Sequence, residues 1–427
     1  MQLCSVFSAM LLLGSTMFGP LLSYIPGTFS SLGIIPSTLV LLLFGLLASY
    51  SISLMIECGC VVEATSYEDF MEAAFPRYGR IITTLLMNLY LFGVLDGFLD
   101  AISEQLDFIL KVLTEWNIAH QTSIGLTIVI FCVIFPLCLL GNMATLVFVA
   151  FLANLFSLFC ILFIGAVSAQ QIYLNVGMIK NIPLFTTSTR DVLSAFPMLS
   201  LVFMCFPVIY PVWRVLEDPT SKRMNTTQIS SLSITALLFT FLGIFGSILL
   251  QTSSDTNLLS IFPSTPQFLA IRFIYLLSLI SHFPILHFAF RHSIEITFFG
   301  KYDWSIPRHI LETTLTLVAL AVCSIFLTQK IRTVRIWMEL LGVLGYPLTF
   351  ILPVLCYAKL GFYEESRADV DFLEKNIEFV GTKLKRLLVP GMILPTFILI
   401  LGIAITITNL VLLILDILNH PLNVFSF

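Results

Sequence analysis

The 427-residue chain is 58% hydrophobic and 11% charged, with mean hydropathy +1.00, a formal net charge of −4 and a pI near 5.9. Soluble domains carry roughly 25% charged residues, so the composition describes an integral membrane protein with little room for a soluble domain. An acidic balance with no basic stripe argues against a nucleic-acid partner.

In chain order, about eleven apolar runs reach the roughly 20 residues that a bilayer crossing needs. They lie near 5–28, 34–57, 80–109, 122–140, 143–168, 193–213, 229–250, 267–290, 309–328, 334–358 and 388–416. No basic residue precedes Arg77, so the first run lacks the charged start of a cleavable signal peptide and is read as a retained span. Between spans 2 and 3, Ser66 is placed to cap a short amphipathic helix at the membrane surface whose Phe70, Ala73, Ala74 and Phe75 share a face. The longest polar stretch, 359–387, alternates in sign (Glu364, Glu365, Arg367, Asp369, Asp371, Glu374, Lys375) and reads as a solvated connector. Nine cysteines, mostly within apolar runs and without a CxxC pair, are expected to be free thiols that pack as small hydrophobes.

Two of these runs are interrupted. The first reads Gly14-Ser15-Thr16-Met17-Phe18-Gly19-Pro20-Leu21-Leu22, followed by Pro26, and the second runs from Phe196-Pro197 to Phe206-Pro207 and Pro211. Proline removes a backbone donor and clashes with the preceding turn, which exposes unpaired amides and carbonyls at membrane depth. Hydrocarbon tolerates such backbone only where it lines a protein-enclosed or water-filled space. Each proline could instead merely kink an ordinary span, where proline is common. Interruptions in corresponding positions of two halves point to a secondary transporter's substrate site.

Lysines and arginines set the orientation. With a cytosolic N-terminus, fourteen fall on the inner side: Arg77, Arg80, Arg214, Lys222, Arg223, Arg291, Lys301, Arg308, Lys359, Arg367, Lys375, Lys383, Lys385 and Arg386. Seven fall outside: Lys111, Lys180, Arg190, Arg272, Lys330, Arg332 and Arg335. The bias favours this orientation. An odd number of spans then leaves the C-terminus outside or lumenal, and the sequon Asn225-Thr226-Thr227 falls in a cytosolic loop, where it is expected to be unused.

Span 3 carries Asp96, Asp100 and Glu104, spaced i, i+4, i+8 on one helical face. An ionisable group near mid-span is by default a pathway or proton-relay candidate. The alternative is that these carboxylates line a wet outer vestibule or pair with Arg272 at the mouth of span 8. Gly93 and Gly97, which flank Asp96, read as packing residues. No Walker A loop, HExxH or nucleophile elbow is present, so no enzymatic activity and no catalytic cofactor or metal is expected. Nothing resembles the repeated filter loop of an ion channel.

The strongest local pattern leaves the second broken helix: Phe203-Met204-Cys205-Phe206-Pro207, then Pro211-Val212-Trp213, Leu216-Glu217-Asp218-Pro219 and Lys222-Arg223-Met224. It resembles the sixth span and following loop of the amino acid/auxin permease family, within the amino acid-polyamine-organocation superfamily, and especially its system A/N-like neutral amino acid branch. Other stretches agree in order. Ile25-Pro26-Gly27-Thr28-Phe29-Ser30-Ser31-Leu32-Gly33 is similar to the family's Leu-Pro-Tyr-Ala-Phe-x-x-x-Gly. Ser66-Tyr67-Glu68-Asp69 with Ala74-Phe75 looks like its Ser-Tyr-x-x-Leu…Ala-Phe-Gly loop. Pro136-Leu137-Cys138-Leu139-Leu140, Arg308-His309-Ile310 and Phe350-Ile351-Leu352-Pro353 match the turn after span 4 and the starts of spans 9 and 10.

The resemblance implies an all-α, leucine-transporter-like fold of eleven spans in a single domain over 1–427. Inverted repeats would occupy about 5–168 and 193–358, with an extra helix over about 388–416. It places the substrate between broken helices 1 and 6, with backbone groups of Gly19, Leu21, Leu22, Phe203, Met204 and Cys205 as contacts. Pro20 stands where the family keeps a residue with a free amide, and Phe206 replaces the family's span-6 histidine. Sodium-coupled relatives place an asparagine and a threonine near the ion. Aligned through Gly19 and Pro284, these positions are Ser15 and His282, with Ser281 beside the latter. Histidine is a poor ligand for a hard cation but titrates near neutrality. The resulting expectation is a monomeric carrier of small neutral amino acids, coupled to protons through Asp96, Asp100 and His282. Sodium coupling and an amino-acid sensor are the alternatives. Plasma membrane and vacuolar or lysosomal membrane fit equally.

Overall fold

Apolar runs become helices throughout, and polar or proline-rich junctions end them. The computed structural model describes residues 3–76, 78–114, 119–175, 184–185, 189–250, 257–299, 305–328, 334–369 and 393–419. In chain order the helices are α1 (Val6–Met17), α2 (Leu21–Leu32), α3 (Ile34–Val61), α4 (Tyr67–Ala74), α5 (Gly79–Thr114), α6 (Ala119–Val129), α7 (Phe135–Cys138) and α8 (Leu146–Leu174). The second half holds α9 (Thr189–Leu201), α10 (Phe206–Val215), α11 (Ser221–Leu250), α12 (Pro266–Phe299), α13 (Ile306–Thr328), α14 (Val334–Tyr346), α15 (Leu352–Asp369) and α16 (Ile393–Asn419). The charged connector beyond 369 and the lysines and arginines at 77, 180, 301, 330, 332, 375, 383, 385 and 386 lie outside the described residues.

Among the described residues, nine helices are long and apolar enough to cross a membrane, or ten if α1 and α2 form one bent span. The expected eleven is not confirmed among the described residues. The run read as a span over 122–140 forms a shorter apolar stretch, Ile124–Cys138, with a π turn over Ile130–Ile134 just before Pro136. A ring at Pro136 cannot donate to the helical ladder, and the wide turn accommodates it before the chain leaves the helix.

The helix at the N-terminal surface forms where expected. Ser66 Oγ accepts the Asp69 amide at 3.1 Å and caps α4. Its buried face is Tyr67, Phe70, Met71 and Ala74, whereas Ala73 is exposed. A second π turn, Pro347–Ile351, joins α14 to α15, and its diverted carbonyls are met by side chains. Tyr67 donates to Leu348 O at 2.6 Å and Ser51 to Thr349 O at 2.5 Å. Backbone at membrane depth needs such partners because lipid supplies none.

The broken segments run through the centre, with α1 beside α10 and α2 beside α9. Helix α11 packs along α1, α2, α3 and α8, and α12 packs between α5 and α8. Exposed Leu39, Leu46, Leu85, Phe148 and Leu162 face outward, as lipid-facing positions should. On the N-terminal side the chain start is tied down by main chain: Cys4 donates to Val215 O at 2.6 Å, and Glu217 donates to Cys4 O at 2.9 Å.

Candidate functional site

Both expected interruptions are present, and they differ in shape. Helix α1 ends at Phe18 in extended geometry, Gly19 takes φ +138°, and Pro20 opens α2 at φ −55°. The axes of α1 and α2 meet at 63°. Glycine is required at 19 twice over, because a Cβ there would meet the Phe98 ring, with three ring atoms no farther than 3.0 Å. The second interruption spans residues 202–205 without a positive φ, and α9 and α10 continue as one span, Ala195–Val215.

Both breaks leave main-chain groups unpaired. In the first, Leu22 N donates to Gly19 O and Ser23 N to Pro20 O, both at 3.1 Å. The amides of Gly19 and Leu21 find no main-chain acceptor among the described residues. They sit at the start of α2, where unpaired N–H groups and the helix dipole favour an anion. In the second break the amides of Phe203, Met204 and Cys205 donate to Ser200, Leu201 and Phe203 carbonyls at 3.0, 3.2 and 3.0 Å. The carbonyls of Val202 and Met204 receive no main-chain donor among the described residues. Each break offers groups of both kinds, since the carbonyls of Met17 and Phe18 also receive no main-chain donor and the Phe206 amide finds no main-chain acceptor among the described residues.

Around the first break stand side chains from three other helices. Tyr275 of α12 directs its hydroxyl at Gly19 O (3.3 Å), Pro20 O (3.4 Å) and Ser23 Oγ (3.4 Å). Phe18 stacks on Phe239 of α11 with centroids 5.3 Å apart, and its ring lies 6.2 Å from the His282 imidazole. His282 is fully buried. Its Nδ1 lies 2.7 Å from Ser278 O, and because a carbonyl only accepts, Nδ1 carries the proton. Nε2 is then a lone pair, without a partner among the described residues. Ser278 Oγ also bonds Ser157 Oγ at 2.8 Å. The Ser15 hydroxyl donates to Leu12 O at 2.7 Å and the Ser281 hydroxyl to Leu277 O at 2.8 Å, so both hydroxyl protons are held by their own helices.

The side chains of the second break turn elsewhere. Phe203 packs toward Gly45 of α3, Met204 toward Gly345 of α14, and Phe206 stands 5.1 Å from Tyr90 and 6.1 Å from Tyr67 between ring centroids. With Cys205 they are buried packing groups in this conformation, and Leu22 is buried with its amide engaged.

The carboxylates of α5 form a graded series. Asp96 is buried, with Oδ1 lacking a partner among the described residues, Asp100 is half-buried, and Glu104 is exposed. Two residues span about 200° of helix, so Asp96 does not share the face by which Phe98 covers Gly19. Gly93 packs closely on Leu341 of α14, but a Cβ at Gly97 would meet nothing within 4 Å among the described residues, which gives no sign of the packing expected there. Near the far side, Asn257 donates to Glu104 Oε1 at 2.7 Å. Arg272 donates to Gln105 Oε1 at 3.1 Å and to Leu259 O, and lies over the Phe108 ring at 3.6 Å. Arg272 makes no carboxylate contact within 4 Å among the described residues, but Glu104 lies close enough to interact with it electrostatically.

Sequence reasoning passed over Phe98 and Tyr275. Phe98 belongs to an apolar stripe, Leu91, Leu95, Phe98, Leu99 and Ile102, whose helical spacing marks the core-facing side of α5. Tyr275 lies about two turns before His282 on α12, and no local pattern distinguishes it.

A family model described as transmembrane amino acid transporter protein matches residues 3–413. Among solved structures, the fold is similar to that of Mhp1, a nucleobase-cation-symport-1 family transporter, in a closed conformation with bromovinylhydantoin bound. The TM-score is 0.59 at 14% identity, over 100% of this chain and 95% of that one. A substrate-bound, outward-open Na+-coupled sialic acid symporter gives TM-score 0.57 at 14% identity, over 95% and 90% of the two chains. Inward-facing Mhp1 gives 0.57 at 14%, over 95% and 91%.

Proposed function

Because the chain belongs to the transmembrane amino acid transporter family, we propose that it is a secondary carrier that moves small neutral amino acids by alternating access, driven by protons. The observation that carries this reading is the unpaired main chain at both breaks, with free amides at the start of α2 and free carbonyls in the second break. The free amides of Gly19 and Leu21 would receive the substrate carboxylate, and the carbonyls of Val202 and Met204 its ammonium. Proline at position 20 takes one donor out of this cradle, and the Gly19 and Leu21 amides on either side take over its role.

Proton coupling is supported by two buried groups. A carboxylate at mid-membrane without an ion pair is held most easily with a proton, and Asp96 is such a group among the described residues. At the position where sodium-coupled relatives place an ion-binding oxygen, His282 offers an imidazole lone pair, and imidazole suits a proton better than sodium. The test is uptake in proteoliposomes across twenty amino acids at two pH values, with and without sodium. Acid-stimulated uptake that Asp96→Asn suppresses is expected. Uptake that follows sodium and ignores pH rules out the proton, and binding without counterflow points to a sensor instead.

A further inference from the structure

Away from the breaks, the N-terminal side carries a buried polar seam. Helix α4 lies across α5, with α10 and α12 closing behind it. Glu68, in its first turn, is 3% exposed, and Ser293 Oγ of α12 donates to its Oε1 at 2.8 Å. A cavity of about 10 Å³, room for about one water, lies among Glu68, Tyr67, Pro207, Tyr210, His292 and Ser293. Pro207 stands at the start of α10, so this space lies directly below the second break.

The charges around the seam are engaged elsewhere. Arg80 of α5 pairs with Glu72 at 2.5 Å and Asp69 at 3.6 Å. Arg291 of α12 faces Glu295 at 3.6 Å, and Lys359 of α15 lies over the Phe75 ring at 4.3 Å. Arg214 of α10 is near His292, and Cys58 of α3 faces Tyr210. Glu68 makes no ion pair among the described residues. Burial pushes its carboxyl above the ordinary carboxylate range, with the Ser293 hydrogen bond pulling the other way. The opposite side carries a seam of the same construction. There the short 3-10 segment Leu258–Ile261 follows Asn257, which holds Glu104 of α5, and that carboxylate is exposed. One seam thus holds a buried carboxylate and the other an exposed one.

We propose that Glu68 is a proton-binding site of the N-terminal seam, neutral while α4 is seated on Ser293 and ionised once α4 lifts, so that opening this side releases a proton. The inference rests on the carrier reading and adds to it the place where the proton leaves. The sign follows from linkage. A carboxyl whose affinity for protons is raised in the seated form stabilises that form at low pH, and the stabilisation is lost as pH rises through the raised value.

Hydrogen–deuterium exchange of the full-length protein in detergent, corrected for intrinsic exchange rates, tests it between about pH 5 and about pH 8. Protection over residues 67–74 and 206–215 should fall more than tenfold with rising pH in the wild type. Glu68→Gln should be protected throughout. Ser293→Ala, which removes a donor that favours the carboxylate, should move the midpoint upward, and His292→Gln should keep the wild-type transition. A Glu68→Gln protein with the wild-type pH response, or a transition abolished by His292→Gln, overturns the assignment. Counterflow by the wild type in proteoliposomes separates the two failures. Without it the carrier reading falls; with it, a pH-independent seam sinks the proton site alone.

Discussion

Gly19 is where one methyl group should do the most damage. Gly19→Ala forces a side chain into φ +138°, a region that costs a non-glycine residue about 1–3 kcal/mol. The same methyl would drive into the Phe98 ring, whose atoms lie within 3.0 Å of its position. Overpacking of that kind adds about 1–3 kcal/mol. Together the penalty is about 2–6 kcal/mol, and the lower end already corresponds to about a thirtyfold effect on an equilibrium or rate. The assay is substrate counterflow and thermal unfolding of the purified protein, for Gly19→Ala, Phe98→Ala and the double variant. Phe98→Ala alone leaves a cavity and is itself destabilising. The informative quantity is therefore the coupling term of the cycle, expected at about 1–3 kcal/mol because the double variant keeps the backbone strain and loses the clash. Wild-type counterflow and stability in Gly19→Ala would refute the reasoning, and a coupling term near zero would refute its steric half.

Other perturbations read other parts of the fold. Tyr67→Phe leaves the diverted Leu348 carbonyl without its donor and should destabilise by about 1–3 kcal/mol, measured by thermal or denaturant unfolding. Removing residues 1–4 deletes both main-chain bonds of the Cys4 bridge, about 1–3 kcal/mol in all. Labelling of the buried Cys205 thiol, resolved by mass spectrometry, should then speed up by about tenfold, and an unchanged rate would show that the bridge does not hold this side shut. Asp96→Asn should abolish acid stimulation of uptake while leaving pH-independent exchange of substrate intact, because the amide mimics the protonated carboxyl but cannot release its proton.

The positions of both breaks were legible because glycine and proline act locally. Gly19-Pro20 and Pro207 mark them whatever surrounds them. Their different shapes were not. The sharp elbow needs the positive φ of Gly19, and residues 202–205 contain no glycine, so the second break stays a short unwound turn within one span. Which backbone groups remain unpaired was also hidden, since it depends on whether each amide finds a carbonyl three or four residues back. That is why Leu22, Phe203, Met204 and Cys205, all named from the sequence, have engaged amides, and Val202 comes forward. The carboxylates of α5 were rightly grouped on one face, but their grading from buried to exposed reflects depth in the fold. Glu68 looked like the polar side of an amphipathic helix. Its burial arises from α12 and α10, which are more than 130 residues away in sequence.

The elbow at Gly19 also has a mechanical reading. Helix α1 is 12 residues long, about 18 Å at 1.5 Å per residue, and its far tip carries the strand-like clasp at Cys4. Pivoting this arm by about 20° would carry the tip about 6 Å sideways, twice the length of the clasp's hydrogen bonds, while displacing atoms at the pivot hardly at all. A small change in the torsions of one glycine thus has leverage over the main-chain clasp at Cys4, with no need for the rest of the scaffold to deform.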